Sequence, residues 1–289
     1  MKPPKFDYFA PDSVERALAL IAEHGDHARF LAGGQSLVPM MNFRVATPSA
    51  LIDLNGIADL RGIRIDDEHR LHIGAMTRTR EIEMDAQIAR ANPLLHAAVP
   101  NIAHMQIRNR GTIGGSLAHA DPAAELPAIV LVCGAAIQIV GPGGRRSVGA
   151  MDFFEGIFET ALRDGEIISE IVFPTWPAAR SWAFDEISRR EGDFAMVGIA
   201  AWFDLDASGK ISASGLAAIG AGDTPLRLSS GEQILIGRSP GADVFARAAE
   251  AAATDLQPAS DIHASAEYRR EVGEVLVQRC LQTAWERSS

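Results

Sequence analysis

Two glycine pairs decide how this chain is read: Leu31-Ala32-Gly33-Gly34-Gln35-Ser36-Leu37-Val38, and the longer run Arg108-Asn109-Arg110-Gly111-Thr112-Ile113-Gly114-Gly115-Ser116-Leu117. Paired glycines permit positive φ and let backbone approach a ligand closely, so successive N–H groups can converge on one anion. Ser36, Thr112 and Ser116 add hydroxyls within the same loops. A diphosphate has oxygens on two sides, and two such loops facing each other make a clamp for both. One pair alone would be weak, because glycine is a default turn residue. Neither loop matches GxGxxG or GxxxxGK[ST], which excludes the usual Rossmann and P-loop signatures. Gly220-Ala221-Gly222 supplies only half of one and reads as a turn.

Outward from the first pair, Val14, Ala17, Leu18 and Ile21 are spaced for a helix over 13–24, with Asp12 and Glu15 as a capping box and Gly25 as its end. Strands are expected at 28–32 and 51–54, so the opening is a β–loop–α–β unit of a small parallel sheet. Around the second pair, a strand is expected at 70–74, with Thr77 as a helix cap. Helices follow at 93–102, entered through Pro93, and from Pro122 to Val132. Gly141-Pro142-Gly143-Gly144 between 135–140 and 145–148 signals a hairpin. A further strand at 166–173 is closed by Pro174 and Pro177, which mark a domain boundary. Beyond it come strands near 182–188, 197–205 and 211–219, then helices at 242–256 and 265–285. The stripe Tyr268, Val272, Leu276, Cys280 is read as packing.

The chain has 289 residues, 22% of them charged, and a formal charge of −10. No Lys/Arg-rich run is present, which argues against nucleic acid. An acidic protein that binds a phosphorylated group must offset its own field with local donors. The start, Met1-Lys2-Pro3-Pro4-Lys5, has no apolar core and is not expected to be a signal peptide. Leu126–Val140 falls short of the roughly 20 apolar residues that a spanning helix needs. It is read as a buried helix followed by a strand. The two cysteines, Cys133 and Cys280, cannot ligate an iron–sulfur cluster alone. Eight histidines form no HExxH and no cluster with cysteine, so no metal site is expected. The absence of a GxSxG elbow argues against a hydrolase triad. A cytoplasmic protein is expected.

Behind the second pair stand Asp121, Pro122 and Glu125. Carboxylates there repel phosphate but accept hydrogen bonds from sugar or ribityl hydroxyls. Equally, Asp121 suits an N-cap for the next helix, with Glu125 completing its box. The residues leave both readings open. Arg108 and Arg110 either reach a phosphate or a partner, or are simply exposed.

With these motifs placed, the chain resembles the FAD-binding medium subunits of the molybdenum hydroxylases, the family of carbon monoxide dehydrogenase and xanthine dehydrogenase. The resemblance runs through Phe6-Asp7-Tyr8, Ala32 to Leu37, Ile73-Gly74-Ala75-Met76-Thr77, Arg108 to Ser116 and Ala120 to Pro127. It continues in Ser188 to Ala195 and Tyr268-Arg269-Arg270. It implies an α+β chain with the vanillyl-alcohol-oxidase (PCMH)-type FAD-binding fold. Two α/β subdomains, 1–57 and 58–177, would precede a C-terminal domain of antiparallel strands plus helices at 178–289.

By the same resemblance, Leu31, Ala32, Gly33, Gly34, Gln35, Ser36, Leu37 and Val38 would wrap the FAD together with Thr112, Ile113, Gly114, Gly115 and Ser116. Glu125 would bind its hydroxyl-bearing part with Asp121 nearby, and Ile102 and Ile167 or Ile168 would line the flavin. Phe194 falls where some relatives place a tyrosine against the ring, and Asp185 where xanthine dehydrogenases have a lysine. No catalytic side chain is implied. The implied partners are a large molybdopterin-binding subunit and a small 2Fe-2S subunit, paired as a dimer of heterotrimers. Electrons would pass singly from the clusters through FAD to NAD⁺, a quinone or oxygen. A stand-alone flavin reductase or oxidase, and a flavin-free scaffold, are the alternatives.

Overall fold

A computed structural model describes residues 2–288. Met1, at the head of the start read above, and Ser289 lie outside the described residues. The chain builds three principal sheets in order along the sequence, and the glycine pairs fall where the first two meet.

The first sheet is parallel, with Ala50–Asp53 between Asp7–Phe9 and Ala28–Leu31. Helix Val14–His24 covers it, turning Val14, Ala17 and Leu20 onto Ala28, Ile52 and Leu54. A parallel pair needs such a crossover, because the chain must return to the same edge. The expected Asp12–Glu15 box does not form. Ser13 is the cap, extended at φ −139°, and its Oγ accepts from the Arg16 N–H at 3.2 Å. Asp12 stands one residue too early to reach that N–H.

The second sheet is antiparallel throughout, in the order Ile63–Ile65, Leu71–Gly74, Ile167–Phe173, Ala136–Gly141, Gly144–Gly149. The hairpin at Gly141–Gly144 forms as read, with Gly144 at φ +98°. Every residue of helix Glu125–Val132 is buried, which accounts for the apolar stretch. Three sequence expectations fail here. Thr77 is no cap: its hydroxyl donates to Gly62 O at 3.2 Å, and helix Thr79–Met84 begins after Arg78. The helix from Pro93 ends at Ala98, and a 3-10 turn, Val99–Asn101, follows before the extended Ile102. The helix expected from Pro122 begins only at Glu125.

The third sheet is antiparallel, Ser181–Ser188, Ala195–Leu205, Ile211–Ile219 and Leu226–Arg227. Helices Ser229–Leu235, Ala242–Ala253 and Ala266–Ser288 pack on it around Phe203, Phe245 and Leu276. In the last helix Leu276 and Cys280 are buried as expected, while Tyr268 stays largely exposed. Its neighbour Arg269 is the buried one, donating to Met196 O and Gly220 O and pairing with Asp261 at 2.7 Å. Trp202 Nε1 donates to Val132 O at 2.8 Å, and the Gly220 N–H to Pro122 O at 2.9 Å, tying this sheet to the helix behind the second glycine pair. Among the described residues no helix is long and apolar enough to cross a membrane.

Candidate cofactor site

The first glycine pair follows strand Ala28–Leu31 and leads into the short helix Leu37–Asn42. Gly34 holds φ +74°, a conformation that side chains resist. The turn is set from within, by Val38 N–H to Gly34 O at 3.1 Å and Gln35 Nε2 to Gly33 O at 3.1 Å. Among the described residues, no protein group accepts the N–H of Gly33, Gly34, Gln35, Ser36 or Leu37. The Ser36 hydroxyl is likewise unbonded. Unpaired backbone donors are costly unless water or a ligand meets them. This loop is a donor set without an acceptor.

The second pair is different. Gly114 and Gly115 are not in a loop but in the first turn of helix Ile113–His119, capped by Thr112, whose Oγ1 accepts from Gly115 N–H at 3.1 Å. Ile113 N–H goes to Thr77 O at 3.2 Å, Gly114 N–H to Ala75 O at 2.8 Å and Ser116 N–H to Thr112 O at 3.0 Å. A Cβ on Gly114 would stand 2.5 Å from Ala75 Cβ and 2.8 Å from Ala75 O. These glycines bring a helix against the strand turn at Ala75. The Ser116 hydroxyl has no partner among the described residues.

The two jaws touch. A Cβ on Gly33 would lie 2.4 Å from Arg110 O, and one on Gly115 would lie 3.3 Å from Ala32 Cβ. Polar bonds cross the seam as well. Asn55 Nδ2 donates to Ala32 O at 2.9 Å, and Arg78 donates to Asn55 Oδ1 at 2.5 Å and to Arg110 O. Arg61 donates to Asn55 O at 3.2 Å. Arg61, Arg78 and Arg110 have no carboxylate within ion-pair distance among the described residues. In a chain of net charge −10 this is a positive corner without an ion pair, with Glu81 and Asp53 the acids within electrostatic range of Arg78. The sequence reading missed Asn55, Arg61 and Arg78, because only folding brings them beside Gly33. Arg108 is neither exposed nor free: it pairs with Glu83 at 2.8 Å and holds Ile102 O and Ala103 O.

Behind the second pair, Asp121 is not a helix cap. Its Oδ1 accepts from Ala123 N–H at 2.9 Å in a tight turn, and Ala124 occupies the cap position with no side-chain bond. The proposed box with Glu125 is therefore absent. Glu125 is 4% exposed, and no other residue donates to its carboxyl among the described residues. Burial pushes it up to about 7, aided by nearby Asp121. Glu186, on the facing strand Ser181–Ser188, is pushed up to about 8 by burial, then by Glu125 and Asp185. Its Oε2 is buried without a partner. Sequence reading passed over Glu186, since nothing local marks an acid whose neighbour is distant in the chain. Asp185 beside it faces Arg279 at 3.3 Å.

Of the remaining expected residues, Ile102 is half-buried, and Phe194 is 65% exposed on the turn before strand Ala195–Leu205. A Cβ on Gly192 would meet His104 Nδ1 at 2.3 Å, so the Phe194 turn lies against the segment holding Ile102. Ile167 and Ile168 are buried at 4% each, in two different hydrophobic clusters. Leu31, Leu37 and Val38 flank the first jaw, Val38 exposed. No group of metal-ligating side chains occurs among the described residues.

Five free N–H groups, an arginine corner without an ion pair, and a buried Glu125 carboxyl to which no other described residue donates fit a diphosphate-bearing ligand with a hydroxylated chain. Fold and site together suit a protein that binds a diphosphate-bearing nucleotide. A family model described as the FAD-binding domain in molybdopterin dehydrogenase matches residues 4–176, and one described as the CO dehydrogenase flavoprotein C-terminal domain matches 182–284. The chain belongs to the FAD-binding medium subunits of the carbon monoxide dehydrogenase and xanthine dehydrogenase type of molybdenum hydroxylases, and its cofactor is FAD. It is 43% identical to the 6-hydroxypseudooxynicotine dehydrogenase complex subunit alpha of Paenarthrobacter nicotinovorans over 100% of this chain and 97% of that one. It is 38% identical to the carbon monoxide dehydrogenase medium chain of Hydrogenophaga pseudoflava, with 99% of each covered. A solved carbon monoxide dehydrogenase from Hydrogenophaga pseudoflava superposes with a TM-score of 0.97 at 39% identity, over 100% of both chains. Quinoline 2-oxidoreductase from Pseudomonas putida 86 gives 0.94 at 36% identity, covering 100% of this chain and 99% of that one.

Proposed function

We propose that this chain is the electron-relay subunit of a cytoplasmic molybdenum hydroxylase. It would receive electrons from a small 2Fe-2S subunit and deliver them to an external acceptor, while substrate is hydroxylated on a large molybdopterin-binding subunit. A dimer of heterotrimers is the expected assembly. Bound FAD supplies the two-electron store between one-electron clusters and that acceptor. The chain itself binds, orients and shields. The N–H groups of Gly33 to Leu37 meet phosphate oxygens, with the Ser36 and Ser116 hydroxyls beside them. Glu125 and Asp121 accept hydrogen bonds from ribityl or ribose hydroxyls. Ile102, Val38 and the exposed ring of Phe194 offer apolar surface to the flavin. No side chain is assigned a proton-transfer step.

The observation that carries this reading is the loop whose five N–H groups have no acceptor among the described residues, set beside arginines with no carboxylate partner among them. The similar chains support the division of labour. Relatives named for carbon monoxide, 6-hydroxypseudooxynicotine and quinoline match this one along its length, so substrate choice is assigned to another subunit. The units 1–57, 58–177 and 178–289 are proposed as flavin-binding halves and a closing domain.

The test is to co-express the chain with the genes encoded beside it, isolate the complex and titrate it with dithionite. Flavin bleaching alongside iron–sulfur and molybdenum signals in one particle is the expected outcome. A chain that purifies alone with turnover of its own would contradict the relay reading, and one that takes up no added FAD would contradict the site.

A further inference from the structure

We propose that Arg78 is a positioning residue for the flavin nucleotide, clasping the two jaws together and, with Arg61 and Arg110, supplying the positive field that offsets the diphosphate. This rests on FAD lying at Gly33 to Leu37.

The geometry is a chain of bonds across the seam. Arg78 precedes helix Thr79–Met84, and its backbone is fixed twice, by Glu81 accepting its N–H at 2.7 Å and by Gly111 O accepting the next N–H, that of Thr79, at 2.9 Å. Its guanidinium forks to Arg110 O, the carbonyl against which Gly33 is packed, and to Asn55 Oδ1 at 2.5 Å. Asn55 then donates to Ala32 O at 2.9 Å, and Asp53 orients Asn55 at 2.5 Å while accepting from Tyr8 at 2.5 Å. One side chain thus touches the far jaw and, through a single amide, the near one. Only a planar fork reaches both acceptors at once; a lysine ammonium offers the charge without the fork.

The charge of Arg78 enters no ion pair among the described residues. Burial pushes Arg78 down from its ordinary value, as do Arg61 and Arg110 nearby, with Glu81 and Asp53 as the counter-charges within range. Three like charges held together without an ion pair are self-repelling, and an anion between them relieves the repulsion. The free N–H groups of Gly33 to Leu37 open beside this corner. A clasp of purely structural value would need no such accumulation.

The test is FAD titration of the flavin-depleted chain at low and at high salt, followed by flavin fluorescence, for the parent, Arg78→Gln, Arg78→Lys and Gly34→Val. The parent is expected to lose affinity several-fold on adding salt. Arg78→Gln is expected to bind about tenfold more weakly at low salt, the scale of one charge-assisted hydrogen bond, with a shallower salt dependence. Arg78→Lys should keep the parent's salt dependence at an intermediate affinity, and it covers the case in which the glutamine variant does not fold. Equal affinity of Arg78→Gln and parent at low salt, or equal salt dependence in all three, overturns the proposal. If Gly34→Val also binds FAD like the parent, the placement of FAD at the first jaw fails. If it binds weakly while Arg78→Gln does not, only the role of Arg78 fails.

Discussion

Gly33-Gly34 and Gly114-Gly115 look alike on paper and do opposite things. The first pair sits in an open turn with its N–H groups uncommitted, and Gly34 is there for a backbone angle. The second pair sits in a helix with its N–H groups spent on Ala75 O and Thr112 Oγ1, and Gly114 is there for lack of a Cβ. A glycine pair therefore shows that backbone comes close to something. Whether that is ligand or protein is decided by where the donors go.

The sharpest way to break the comparison is Gly114→Val. Its side chain would enter the Ala75 backbone, which cannot yield as a flexible side chain would. Overpacking of this kind costs about 3 kcal/mol or more, so loss of soluble folded protein, or a Tm lower by about 6 °C or more, is expected by circular dichroism. A variant of parental stability would mean the helix is not packed as described. Gly34→Val should cost less, about 1–3 kcal/mol for a branched residue at positive φ, and should weaken FAD binding more than stability.

A smaller effect tests the acids behind the second pair. Glu125 at about 7 and Glu186 at about 8 keep protons that the unfolded chain has already lost above its ordinary carboxyl value. Folding then holds more protons than unfolding, so stability falls as pH rises from about 4.5 to about 8 and levels off above. Thermal melts of the flavin-depleted chain should drop by several degrees or more over that span, each carboxyl contributing about 1.4 kcal/mol per pH unit between its unfolded and folded values. Glu186→Gln, which removes one of these protons from the balance, should flatten the profile. An equally steep profile would remove Glu186 from the account. Smallest of all, Ser116→Ala takes away a hydroxyl with no protein partner, so stability should change by about 0.5 kcal/mol or less, read by urea unfolding. A larger loss would show that the hydroxyl holds the fold.

Much of this was readable from the chain. Periodicity placed helix Val14–His24, the apolar stretch from Leu126 announced a buried helix though not its start, and Gly141 to Gly144 announced its hairpin, because in each the deciding signals lie within a few residues. Caps were less readable: Ser13 does what Asp12 was expected to do, and Arg78 rather than Thr77 precedes helix Thr79–Met84, since the choice turns on one residue of backbone angle. Of the arginine corner only Arg110 was singled out, as a residue that reaches a phosphate or a partner or is simply exposed. Arg61 and Arg78 lie apart from it in sequence, and only the meeting of a parallel sheet with an antiparallel one puts the three around Ala32 and Asn55. Glu186 was hidden in the same way, its neighbour Glu125 lying on a helix of the preceding unit.

Amide hydrogen exchange, with and without FAD, tests the central contrast most directly. Peptides covering Gly33 to Leu37 should exchange fast in the flavin-depleted chain and become strongly protected when FAD binds, while those covering Ile113 to Ser116 should be slow in both states. Protection of the first jaw before FAD is added, or protection gained mainly at the second, would contradict the account.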